Sequence, residues 1–84
     1  MVASANLRRV VAGNIRAAIA QKRMSVVALA GFAEVSAAQL YDVLRCRKGA
    51  SLDFIAKLAA ALEIEPWQLL RSQAARGKNR ADAR

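Results

Sequence analysis

An 84-residue chain has room for one small domain, and with 56% apolar residues, one proline and four glycines it can build a helical core. A net charge of +8, from 14 basic and six acidic side chains, points to a polyanionic partner. No apolar stretch approaches the ~20 residues that cross a bilayer, histidine is absent and Cys46 is the single cysteine, so the expectation is a cytoplasmic binding protein with no metal or other cofactor, neither enzyme nor membrane protein.

In chain order, the first predicted helix runs from Asn6 to about Lys22. Leu7, Val11, Ile15 and Ile19 recur at three- to four-residue spacing as one buried stripe, with Arg8, Arg9, Arg16 and Lys22 off it. Gly13 interrupts this helix at a cost of roughly 1 kcal/mol relative to alanine, which marks it as a place of close packing. Ser25 then opens a second helix to Ala33, and Ser36 a third to Arg45. Each serine stands where its hydroxyl can accept a backbone N–H of the first turn. Small Ala30 lets these two helices approach, while Val35 and Leu40 fill the angle between them.

Residues 46–50 read as a loop, after which Ser51 caps a fourth helix to about Leu62, with Leu52, Ile55, Leu58, Ala59 and Leu62 on its buried face. Pro66, tolerated in a first helical turn, opens a fifth that carries Trp67, Leu69 and Leu70. Beyond it the sequence loses its apolar period. The organisation expected is an all-α, five-helix domain over residues 1–71 and a basic, disordered tail over 72–84. Residues 1–70 carry nine basic and five acidic side chains, and residues 71–84 five and one, so the excess charge divides equally between body and tail. In the body it flanks the tight pair of helices between Met24 and Arg47, a helix-turn-helix.

The segment Ile15–Leu70 resembles the Cro and phage-repressor (XRE-like) helix-turn-helix family in Ile15-Arg16, Leu29-Ala30, Val35-Ser36 and the closing run KLAAALEIEPWQLL. The resemblance implies a five-helix DNA-binding domain, most often a dimeric transcriptional regulator. Three departures stand out. Val26 replaces a glutamine that in the family contacts phosphate and the recognition helix, and Glu34 replaces a turn glycine at a left-handed position, at about 1 kcal/mol and with some re-shaping of the turn. Ile19 and Leu44 stand where many relatives bury an arginine–glutamate pair; exchanging both partners for aliphatics makes a drier core and is often neutral or stabilising. Cys46 falls about where relatives carry a glycine after the recognition helix, and is read as structural.

With the helix 36–45 in the major groove, the outward residues Ala37, Ala38, Gln39, Tyr41 and Asp42 are the base-reading candidates. Gln39 can bond adenine through two hydrogen bonds or remain solvated; Ala37 and Ala38 can meet thymine methyls or serve as helix formers alone. Asp42 can accept from cytosine, although pairing with Arg45 at i,i+3 is favoured, and Tyr41 can reach a phosphate, a groove wall or a neighbouring loop. The phosphate candidates are Arg45, Arg47 and Lys48 after the recognition helix, with Arg23 and Ser25 at the start of the second helix. Arg71, Arg76, Lys78, Arg80 and Arg84 supply either a nonspecific hold on DNA or a solubilising tail.

Ile64, Trp67 and Leu70 are the candidates for a two-fold interface, which would set two recognition helices about 34 Å apart on double-stranded DNA. The function expected is a dimeric, sequence-specific transcriptional regulator such as a small repressor. The alternatives are an antitoxin-like protein that binds a protein partner and represses its own operon, and an interaction module that no longer binds DNA. No ligand pocket is expected.

Overall fold

The computed structural model describes residues 4–72. It has four α-helices, α1 (Ser4–Lys22), α2 (Val26–Ala33), α3 (Ala37–Leu44) and α4 (Leu52–Leu62), followed by a 3-10 turn, Pro66–Leu69. No described helix is long and apolar enough to cross a membrane. Ser25, Ser36 and Ser51 cap α2, α3 and α4 as their positions predict, each hydroxyl accepting a backbone N–H of the first turn at 3.0–3.2 Å.

The fifth helix expected after Pro66 is this 3-10 turn of four residues. Glu65 and Gln68 form a reciprocal capping box at its start, the Glu65 N–H donating to Gln68 Oε1 at 2.8 Å. Its end is held by Asn14 of α1, a buried side chain whose Nδ2 donates to the Leu69 carbonyl at 2.7 Å and to the Arg71 carbonyl at 2.8 Å. Those oxygens would accept from later N–H groups in a continuing helix, so their capture by α1 stops the helix after one turn. The expected tail lies outside the described residues from residue 73 onward, with Arg76, Lys78, Arg80 and Arg84 in it.

All four α-helices end the same way. Arg23, Glu34, Cys46 and Glu63 each take a left-handed φ of 55–61°, and none is glycine. At each stop the left-handed residue donates its N–H three residues back, and the next residue donates five residues back; for α2 these are Glu34 to Gly31 and Val35 to Ala30. Carbonyls that the helix would orphan are thereby bonded. A non-glycine residue there costs about 1 kcal/mol. After three of the stops the following residue is apolar, Met24, Val35 or Ile64, and packs half-buried against the core, which offsets the cost by a comparable amount. After α3 that place is taken by the exposed Arg47.

Every helix contributes to one core, in which Ile15, Leu29, Leu40, Leu58, Leu62 and Leu69 are fully enclosed. Ile19 and Leu44 are both buried in it, as the drier-core reading requires. The apolar stripes fail at two ends. Leu7 is exposed at the start of α1, and Leu52, the first residue of α4, is 80% exposed. Gly13 is not a close approach: a Cβ there meets nothing within 4 Å.

Two stability predictions follow from these contacts. Gly13→Ala should raise stability by roughly 0.5–1 kcal/mol, read from the urea midpoint, since the site is exposed and mid-helix. Asn14→Ala should cost about 1–3 kcal/mol by stripping one buried and one part-buried carbonyl of their donor. The emission of Trp67, the single tryptophan, should change in the same variant as the 3-10 turn loosens.

Candidate nucleic-acid interface

The Ser25 cap fixes where α2 begins, the left-handed Glu34 (φ 59°, ψ 45°) reverses the chain after Ala33, and the Ser36 cap starts α3 two residues later. The turn keeps the geometry of the other helix stops and is not re-shaped by carrying glutamate. Val26, where a glutamine is usual in the resembling family, is half-buried against the core, so this position offers no polar group to phosphate. Ala30 and Leu40 are buried and Val35 half-buried in the angle between the two helices, where their sizes place them.

Leu40, Val43 and Leu44 turn α3 inward. Ala38, Gln39, Tyr41 and Arg45 are exposed on its other side, while Ala37 and Asp42 are half-buried. Ala37 gives part of its methyl to the core. The i,i+3 pair of Asp42 with Arg45 does not form. Arg45 instead lies over the Tyr41 ring, its guanidinium carbon 5.5 Å from the centroid. Asp42 Oδ2 pairs with Lys48 Nζ at 3.8 Å. The backbone explains the exchange: the Arg47 and Lys48 N–H groups both donate to the Asp42 carbonyl, at 2.9 and 3.4 Å, folding the chain back over the last turn of α3.

Of the expected phosphate ligands, Arg45, Arg47 and Lys48 come together around this reversal, and all are exposed. Arg23 and Ser25 lie together at the start of α2, also exposed. The Ser25 hydroxyl already accepts the Ala28 N–H at 3.0 Å and keeps its own hydrogen to donate. Cys46 is the left-handed residue after α3, with φ 61°, which matches its structural reading.

Sequence reasoning missed Arg16. It lies off the buried stripe of α1 and is exposed, as its spacing implies, and its Nη2 also donates to the Leu44 carbonyl at 3.3 Å. A cation at the C-terminal end of α3 meets the negative pole of that helix. Arg16 stands three residues before Ile19, so α1 still sends an arginine to the end of the recognition helix, to a backbone carbonyl rather than a carboxylate. Asn14 was missed as well; its signal was an asparagine at i+3 from Val11 on the apolar stripe.

On the flank of Lys48 and Gly49 opens an apolar cleft of about 300 Å³, lined by Leu7, Val11, Val43, Leu52, Ile55 and Leu70, although no pocket is expected from the sequence. Among the interface candidates, Leu70 borders this cleft and is exposed. Trp67, 54% exposed, carries the Arg71 guanidinium 5.1 Å from the centroid of its ring system. Ile64 sits half-buried against the core as the clasp of the α4 stop.

A capped two-helix unit with its second helix exposed, and cations gathered where that helix ends, suits insertion into a groove between phosphates. Comparison with known proteins agrees. The model of the Cro/C1-type HTH DNA-binding domain matches residues 14–74. A crystal structure of a hypothetical transcription factor, NHTF, from Neisseria superposes with a TM-score of 0.82 at 32% identity, over 93% of this chain and 90% of that one. No curated protein sequence matches. The chain belongs to the Cro/C1-type helix-turn-helix DNA-binding family.

Proposed function

We propose that this protein is a dimeric, sequence-specific transcriptional regulator of the cytoplasm, a non-enzymatic repressor that sets α3 in the major groove of double-stranded DNA. The observation that carries the reading is the placement of Arg45, Arg47 and Lys48 around the end of an exposed α3 in a Cro/C1-type domain. Phosphate contacts from these side chains, with Arg23 and Ser25 on the neighbouring strand segment, position the helix; α3 then meets base edges. Asp42 enters the groove with its charge already countered by Lys48, which lowers repulsion from the phosphates.

The test is titration of a fluorescent duplex of the protein's own promoter against a scrambled duplex across a salt series. Wild type should prefer the promoter and lose affinity linearly in log salt. The double reversal Arg47→Glu/Lys48→Glu should weaken binding to both duplexes alike and flatten the salt slope by about two units, one per lost phosphate contact. An unchanged slope would remove these two residues from the interface.

The dimer surface proposed is the apolar rim of the cleft formed by Leu7, Leu52 and Leu70, together with the exposed Trp67 of the 3-10 turn. Leu52 and Trp67 are large side chains that the monomer leaves in water, and exposed apolar surface of this kind suits burial by a second copy. Leu52→Asp should convert a dimer to a monomer in sedimentation velocity and lower affinity for a two-half-site duplex by at least about tenfold, while binding to a single half-site is retained. A dimer that persists in this variant would place the two-fold contact elsewhere.

A second reading, an antitoxin-like protein with a protein partner, is favoured by one feature: Val27 and Phe32 on α2 are 61% and 69% exposed.

A further inference from the structure

The apolar cleft beside Lys48 and Gly49 gathers side chains from well-separated parts of the chain. Val11 of α1, Val43 of α3 and Ile55 of α4 are buried and line it from the core side, while Leu7, Leu52 and Leu70 stand at its outer rim. Its polar side chains are two exposed cations, Arg8 and Lys48, and no acidic residue lines it. Gly49 admits the first of these to the mouth. A Cβ on Gly49 would lie 3.5 Å from Arg8 Nε, so the guanidinium rests along the bare backbone of the turn. Among the described residues no carboxylate pairs with Arg8, whereas Lys48 is shared with Asp42 at 3.8 Å. Arg8, Lys48 and Asp42 together leave a single positive charge at this mouth.

An occupant that answers both features has an apolar body and one negative charge. The volume of about 300 Å³ falls at the lower end of small-molecule sites, which span roughly 300–1,000 Å³. A second copy of this chain, itself of net charge +8, suits the uncharged rim better than the cationic mouth. We propose that the cleft binds a small aliphatic carboxylic acid, with its chain against Val11, Val43 and Ile55 and its carboxylate on Arg8. The guanidinium fork matches a carboxylate through two parallel N–H donors. Val43 belongs to α3 and Lys48 is a phosphate candidate, so a bound acid sets a negative charge beside the DNA-facing cations and lowers duplex affinity. The site stands on the geometry of one chain; only its effect on DNA rests on the DNA-binding reading above.

The test is calorimetric titration of the full chain with octanoate, which should bind saturably at one molecule per chain. Hexanoate should bind roughly tenfold more weakly, having two fewer methylenes to bury. Octylammonium, with the same chain and the opposite charge, should bind more weakly still. Arg8→Gln should weaken octanoate about fivefold, the weight of an exposed charge pair, and leave octanol unaffected. Equal binding of octanoate and octylammonium, or an octanoate affinity indifferent to Arg8→Gln, would overturn the site. So would octanoate binding only to chains dissociated by dilution, which would give the cleft to a second copy. Saturating octanoate should also lower affinity for a duplex enriched from a random pool severalfold. An unresponsive duplex affinity would overturn the effector role. Failure to enrich any duplex would overturn the DNA-binding reading, while the calorimetry still decides the site.

Discussion

The left-handed helix stop is the constraint on which the rest of this structure depends. Four times the chain must leave a helix abruptly, and each time one residue moves to positive φ so that two N–H groups turn back to carbonyls of the last helical turn. Without that reversal α2 would run on, and α3 would have no angle against it. The residues that make the reversal carry a Cβ and cost about 1 kcal/mol each. Three stops recover this by pressing Met24, Val35 or Ile64 into the core. The stop after α3 does not. Its corresponding residue, Arg47, points into solvent, so the device that ends the recognition helix also delivers a cation to the surface beside it.

α1 serves as the common support of the two regions that matter for function. From one buried position Asn14 holds the carbonyls of the 3-10 turn, and two residues later Arg16 holds the last carbonyl of α3. Both contacts are side chain to backbone, and both act where a helix would otherwise show unpaired oxygens. The exposed Trp67 and Leu70 are thus presented by a segment anchored on the same helix that steadies the end of α3. Neither contact depends on an ion pair, which fits a core where the positions expected for one hold Ile19 and Leu44.

Charge on the candidate interface is arranged rather than merely abundant. Arg45 is laid along Tyr41, and Lys48 is drawn to Asp42 by the backbone bonds that close the turn after α3. Exposed pairs of this kind contribute little to stability, on the order of 0–1 kcal/mol. Their larger effect is to limit where long side chains can be found. The cations are kept at the end of the helix, near where phosphates would lie, and its first turn is left to small side chains.

Much of this was legible in the sequence. Three serines named the starts of α2, α3 and α4 because N-capping is a local interaction, settled within four residues. Periodicity placed Ile15, Leu40, Leu58 and Leu62 in the core, since a side chain's direction on a helix follows from its spacing. Other features were decided by residues far apart in the chain. The fifth helix became one 3-10 turn because Asn14, 55 residues away, captured its Leu69 carbonyl. Leu7 and Leu52 keep helical register yet border an open cleft, because what covers a helix face is a property of packing and not of spacing. The partner of Asp42 changed from Arg45 to Lys48 for a similar reason: i,i+3 spacing offers a contact, but the path of the backbone after the helix decided which cation arrived. Local hydrogen bonding and periodicity thus determined the four α-helices from the sequence by itself, and the resemblance of its motifs pointed to the family, while side chain–backbone contacts across the fold decided where the last helix stops and which charges meet.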